Sequence, residues 1–156
     1  MKKQLSKSDV QELNAAILSQ FNISDFFSKK DRVALVEESN LKGVLRENVL
    51  VFFYKEGCLV PSLRLLLVQP ILKKVVVDMG AVKFMSSGAD VMRPGIVSAD
   101  VSIKKDEFVM VVDQTHQKPL CVARALFLGE ELMAMSQGKV LKNIHWVGDI
   151  IWQFVP

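Results

Sequence analysis

Residues 78–96 read DMGAVKFMSSGADVMRPGI and hold a helix start, a short helix, a glycine stop, a brief strand and a Pro-Gly turn. Asp78 is placed to cap the helix, because its carboxylate can accept from the otherwise unpaired amides of Gly80 or Ala81. Ala81, Val82, Phe84 and Met85 follow at helical spacing, with Lys83 and Ser86 between them. Gly88 offers the left-handed conformation that closes such a helix at little steric cost. Val91 and Met92 extend again. Pro94 then presets φ for a turn, and Gly95 is expected at positive φ in its third position. Two readings of the glycines stand side by side. They punctuate a small fold, or Gly88 and Gly95 let another backbone approach while Lys83 and Arg93 meet phosphate. Pattern alone does not separate the two.

Downstream, 97–102 lead to a turn at Lys104-Lys105-Asp106. Phe108–Val112 reads as a strong strand, and a polar stretch over 113–119 joins it in a hairpin to a strand over 120–127. Gly129 to Ser136 reads as a short helix with Leu132 and Met133 inward, ended by Gly138. His145, Trp146, Gly148 and Asp149 then precede an expected last strand, Ile150 to Phe154. Strands, turns and two short helices suit a small, closed mixed sheet.

Upstream, Val75–Val77 is a β-branched strand, and 72–74 mark a boundary. PSLRLLLVQP, between Pro61 and Pro70, reads as a helix that Pro61 starts and Pro70 ends, with Leu63, Leu66 and Leu67 facing a core. Arg64 is the odd residue there, either a surface arginine or a clamp at a seam between domains. Val49–Phe53 and Cys58–Val60 read as strands around the loop Lys55-Glu56-Gly57. Glu38 to Lys42 reads as a turn and Arg32 to Glu37 as a strand. Ser8 to Phe21 reads as an amphipathic helix capped by Ser8, with Val10, Leu13, Ile17 and Phe21 on one face.

Composition narrows the function classes. Half of the 156 residues are hydrophobic and 24% charged, which excludes a disordered chain. Two cysteines, Cys58 and Cys121, give neither a CxxC zinc site nor a disulfide framework. The first residues, MKKQLSKSDVQELN, lack the apolar run of a signal peptide, and no stretch is long enough to span a bilayer as a helix. A cytoplasmic protein without membrane contact is expected. The net charge of +3 divides evenly, with 10 basic and 8 acidic residues up to Leu72 and 10 and 9 after it. Any nucleic-acid site is therefore a local patch. Lys83, Arg93, Lys139 and Lys142 make one if the first helix and the last turn of this half are neighbours; scattered solvated charges are the equal alternative. No GxGxxG or GxxxxGK[ST] occurs, and neither His116 nor His145 accompanies Cys58 in a nucleophile motif. The residues support no catalysis, metal or cofactor.

The order D-x-G-A, short helix, G-A-x-V-M-x-P-G-I resembles the signature of the PUA domain, an RNA-binding module of pseudouridine synthases and archaeosine transglycosylases. The resemblance spans about Lys73 to Val155. It is carried by Asp78, Gly80-Ala81, Gly88-Ala89, Val91-Met92 and Pro94-Gly95-Ile96, then by Gly138-Lys139, His145 and Gly148-Asp149 ahead of Trp152. It departs at Lys105-Asp106, where many PUA domains have Gly-Asp. Upstream, EGCLVPSLRLLLVQP (56–70) is similar to the malignant T-cell amplified sequence proteins and to the amino-terminal part of ligatin. There a pre-PUA domain packs on a PUA domain. The chain resembles a compact archaeal-type member that ends right after the PUA domain.

The resemblance implies an α+β protein, with a pre-PUA domain over 1–72 and a PUA β pseudo-barrel with short helices over 73–156. It implies non-catalytic binding of structured RNA, tRNA or small-subunit ribosomal RNA, in translation initiation or ribosome recycling. The implied RNA-binding positions are Lys83, Gly88, Ala89, Asp90, Arg93 and Gly95, and the basic-patch reading adds Lys139. Lys83 and Arg93 would meet phosphate, Gly88 and Gly95 would permit close approach, and Asp90 would accept from a 2′-hydroxyl. Implied partners are structured RNA, the small ribosomal subunit and a translation factor, in the way the eukaryotic relatives work with density-regulated protein. Delivery of RNA to a separate modification enzyme, or a protein–protein adaptor without RNA binding, are the alternatives.

Overall fold

In the computed structural model, which describes residues 1–156, the first helix, α1 (Lys7–Phe21), starts from Ser6 rather than from Ser8. The Ser6 hydroxyl accepts from the Asp9 amide at 3.1 Å, and the Asp9 carboxylate accepts from the Ser6 amide at 3.2 Å. This reciprocal pair satisfies amides that a helix end leaves unpaired, and Ser8 has no such partner. Leu13 and Ile17 bury the inner face of α1 against an antiparallel sheet. The sheet runs in chain order through β1 (Lys2–Gln4), β2 (Val33–Glu38), β3 (Leu41–Arg46), β4 (Val49–Lys55) and β5 (Cys58–Pro61). The turn expected over 38–42 is confined to Ser39-Asn40, since Glu38 already pairs with Leu41. The loop expected at 55–57 is the two-residue turn Glu56-Gly57, because Lys55 pairs with Cys58.

A six-residue helix, α2 (Leu63–Val68), follows, capped by Ser62 while Pro61 closes β5. The Ser62 hydroxyl accepts from the Leu65 amide and donates to the Leu50 carbonyl at 2.7 Å. Leu63, Leu65 and Leu66 are buried and Leu67 is half exposed, against the expectation that Leu67 faces inward. The reason is that α2 is wedged between two cores. Leu65 joins the cluster under α1, whereas Leu63 and Leu66 pack with Phe53, Val60, Phe108, Met110, Val112 and Val122. That second cluster draws from both halves of the chain, so the two sheets meet across it, each also having a core of its own.

The second sheet contains β6 (Lys74–Val77), β7 (Val91–Met92), β8 (Ile96–Ala99), β9 (Phe108–Asp113), β10 (Pro119–Ala125) and β11 (Lys139–Trp146). Its order is β7-β11-β10-β9-β6-β8, antiparallel except for the β6–β9 pair. Two short helices accompany it, α3 (Val82–Met85) and α4 (Gly129–Ala134). All of β9 is buried, and strand alternation sends Val109 and Val111 to one core and Phe108, Met110 and Val112 to the other.

The sheet is open, unlike the closed one expected. β7 and β8 are its two edges and do not pair with each other. They are joined by a single 3-10 turn, Arg93–Gly95. The Arg93 amide donates to the Gly138 carbonyl at 2.8 Å, and the Asp78 amide donates to the Gly95 carbonyl at 2.9 Å, fastening the turn to both sides. Gly95 does not take positive φ there. Its missing side chain serves close packing instead, since a Cβ would lie 3.3 Å from that of Ala81. The last strand expected over 150–154 is a run of turns, and the final strand is β11. Asp149 winds this segment by accepting from the amides of Trp146 at 2.9 Å and Trp152 at 2.8 Å.

Candidate nucleic-acid interface

Asp78 performs the expected capping, with its carboxylate accepting from the Ala81 amide at 3.0 Å. The capped element is a 3-10 turn, Met79–Ala81, that runs into α3. Only Met85 of the expected apolar positions is buried; Phe84 turns outward and stays half exposed. Lys83, also exposed, holds its ammonium 5.2 Å from the Phe84 ring centre. Serine hydroxyls then satisfy carbonyls at the end of the helix: Ser86 and Ser87 donate to the carbonyls of Lys83 and Phe84 at 3.0 Å.

Between α3 and the β7–β8 turn lies a cavity of about 430 Å³. Phe84, Met92, Ala89, Asp90, Pro94 and Gly95 are among its lining residues. Three of the expected site residues, Ala89, Asp90 and Gly95, therefore do converge, and Lys83 stands beside them next to Phe84. The cavity is the size of a small-ligand cleft, roughly 300–1,000 Å³. Its rim carries aromatic and thioether surface, and Phe84 and Met92 are each about half exposed.

The remaining expected residues shape this surface from below. Gly88 sits at φ 87°, and a Cβ on it would approach the Trp146 ring to 2.7 Å. Its close approach is thus to an internal indole. Asp90 is engaged twice, accepting from the Asn143 amide at 2.8 Å and lying 3.4 Å from the Lys139 ammonium. Lys139 and Asp90 are brought together as an ion pair, which lowers the charge either presents outward. Arg93 is half buried, and its guanidinium donates to the carbonyls of Ile96 and Met133, both at 3.1 Å. It braces the β7–β8 turn against the end of α4. Lys142 pairs across to Arg124 on β10 and does not line the cavity.

Asn143 is the residue the sequence did not reveal. It lies on β11, is buried, and donates from its side-chain amide to the carbonyls of Met85 at 3.2 Å and Ala89 at 3.1 Å. A lone asparagine within an apolar strand carries no motif, although a polar residue at a buried strand position is itself a signal.

A family model described as the PUA domain matches residues 73–147. An uncharacterized protein of Methanocaldococcus jannaschii is 42% identical over 152 residues, covering 96% of this chain and 94% of that one. Malignant T-cell-amplified sequence 1 of Danio rerio is 32% identical, covering 96% and 88%. Translation machinery-associated protein 20 of Saccharomyces cerevisiae is 29% identical, covering 95% and 90%. Among solved structures, a hypothetical protein of Pyrococcus horikoshii superposes with a TM-score of 0.84 at 34% identity, covering 97% of this chain and 98% of that one.

Proposed function

Since the chain belongs to the PUA-domain family that includes the malignant T-cell-amplified sequence proteins, we propose that it binds structured RNA, tRNA or small-subunit ribosomal RNA, during translation initiation or ribosome recycling. The observation that carries the reading is the cavity beside α3, with half-exposed Phe84 at its rim and the Lys83 ammonium next to that ring. RNA recognition favours such surfaces, because an unstacked base finds an aromatic face while a nearby cation meets the backbone. The tie to translation is supported by the relative named for association with the translation machinery. In this reading residues 1–72 are a pre-PUA unit and 73–156 a PUA unit, and the start of the family match at residue 73 supports that division.

The test is binding of the purified protein to labelled tRNA and to a small-subunit ribosomal RNA stem–loop at about 50 and 200 mM salt. Two or three phosphate contacts, each with a slope of about −0.7 to −0.9, weaken binding about 7- to 40-fold over that range. Loss of that size, reduced by Lys83→Ala, supports the reading. Absence of binding by the folded protein at both salt concentrations overturns it in favour of a protein adaptor.

A further inference from the structure

We propose that Asn143 is the positioning residue of the RNA-binding face, fixing the loop Ser86–Asp90 from beneath; the inference rests on the RNA reading above. The loop's own bonds are local. Ser86, Ser87, Gly88 and Ala89 donate only to carbonyls between Val82 and Met85. These bonds wind the loop but do not attach it to the sheet. Attachment comes from β11, and most of it from one residue. The Asn143 side chain gives both of its amide hydrogens, one to Met85 and one to Ala89, at the two ends of the turn. Its backbone amide donates to the Asp90 carboxylate. Asn143 is 7% exposed and the Met85 bond is buried, so that carbonyl has no solvent substitute for its donor, while the bonds to Ala89 and Asp90 lie at the partly buried edge of the loop.

A strand irregularity aims it there. Val122 pairs with His145 and Ala123 with Asn143, which leaves Ile144 without a partner on β10. Such an inserted residue re-aims its neighbours. Asn143 and His145 stand opposite adjacent residues of β10 and so point to opposite faces of the sheet. Asn143 reaches the cavity loop, and His145 reaches α2 at the amide of Leu63. The side-chain carbonyl of Asn143 has no hydrogen-bond partner. Its side-chain donors and its backbone N–H go to the loop and to Asp90, a wall of the cavity.

The experiment compares the full chain with Asn143→Leu, which keeps the approximate shape and removes both donors, and with Asn143→Ser if the leucine variant does not fold. Amide hydrogen exchange is followed over Ser86–Asp90 and over β9, together with tRNA affinity at two salt concentrations. Val51→Ala, buried in the first sheet, serves as a variant destabilised elsewhere. The expected result is faster exchange confined to Ser86–Asp90 and affinity weaker by about fivefold or more, with the salt slope unchanged and Val51→Ala binding as the parent does. Loop exchange and affinity equal to those of the parent protein overturn the assignment, as does an equal affinity loss in Val51→Ala. If the parent protein binds no RNA, the functional reading falls with the positioning role, whereas binding by the parent with an unaffected variant removes only the latter.

Discussion

The ring of His145 accepts, at Nε2, the amide hydrogen of Leu63 across 3.0 Å, so that a strand of the second sheet caps the first turn of α2. Because the amide must donate, Nε2 is unprotonated there, and Nδ1 carries the hydrogen that faces the Asp149 carboxylate at 2.8 Å. The contact bridges 82 positions of sequence. Nearby, the Arg64 guanidinium lies 3.8 Å above the Trp152 ring and donates to the Trp152 carbonyl at 3.2 Å. Arg64 is thus a clamp between α2 and the chain's last turn. His145→Ala should destabilise the protein by about 2–4 kcal/mol, because it opens a cavity, leaves the Leu63 amide without its acceptor and removes one of the three donors to Asp149. Urea unfolding with an unchanged m-value checks this, and Arg64→Ala should cost less, about 1 kcal/mol.

Acid should weaken the same seam. Burial opposes ionisation of Asp149, but the bonds from His145, Trp152 and Trp146 outweigh it and hold the carboxyl below its ordinary value. Asp113 is also held low, by the amides of His116 and Lys118 at the β9–β10 turn against some burial. A carboxylate whose pKa is lower folded than unfolded contributes stability that is complete above the unfolded value of about 4 and is lost as pH falls through the folded one. The urea midpoint should therefore fall as the pH drops below about 4. Asp149→Asn should start less stable and fall less steeply over the same acid range. A slope equal to the parent's would show that Asp149 does not titrate between the two states.

These couplings mark what the sequence could and could not disclose. The cap at Asp78, the positive φ of Gly88 and the presence of a turn at Pro94-Gly95 are readable because caps and turns depend on residues a few positions apart. The conformation of that turn is not, since Gly95 does not take positive φ. Strand β9 was readable because it is a short apolar run between polar turns. The swap of Ser6 for Ser8 was recoverable, as Ser6 and Asp9 spell a capping box. The inward face of α2 was not, because its burial comes from two different cores. The last strand was misplaced for a related reason. Ile150 to Phe154 is apolar enough to extend, but Asp149 winds it, and Ile151, Trp152 and Phe154 pack onto clusters that include the first sheet. At the candidate site the residue types were legible and their engagements were not. Nothing local tells that Arg93 is held by Met133, 40 positions away, or that Asp90 is held by Asn143.

Gly88 offers a test of the loop that does not involve RNA. Two constraints act on it together, a φ of 87° and the Trp146 ring 2.7 Å from where a Cβ would lie. Gly88→Ala should destabilise the fold by about 1–3 kcal/mol. Pairing it with Trp146→Ala should recover the steric part and leave the backbone part, giving a non-additive cycle. Strict additivity in urea unfolding would mean that the indole does not set the requirement for glycine.

The RNA reading is tested most directly at Phe84, since the arginine is a poor probe. Arg93→Ala removes bonds to Ile96 and Met133 and should lower stability, so a loss of binding in that variant, alone or with Lys83→Ala, has two explanations. Phe84 is half exposed and Lys83 exposed, and neither side chain makes a hydrogen bond or ion pair within the protein. Phe84→Ala should lower the unfolding free energy by no more than about 1 kcal/mol, as for a half-exposed side chain, and weaken RNA binding by about 1–3 kcal/mol, the range for one stacked base. Its salt slope should match the parent's, because stacking releases no counterions, whereas Lys83→Ala should reduce the slope by nearly one contact. If Phe84→Ala binds as the parent does while Lys83→Ala weakens binding, RNA crosses this face through its phosphates alone and the cavity stays outside the contact.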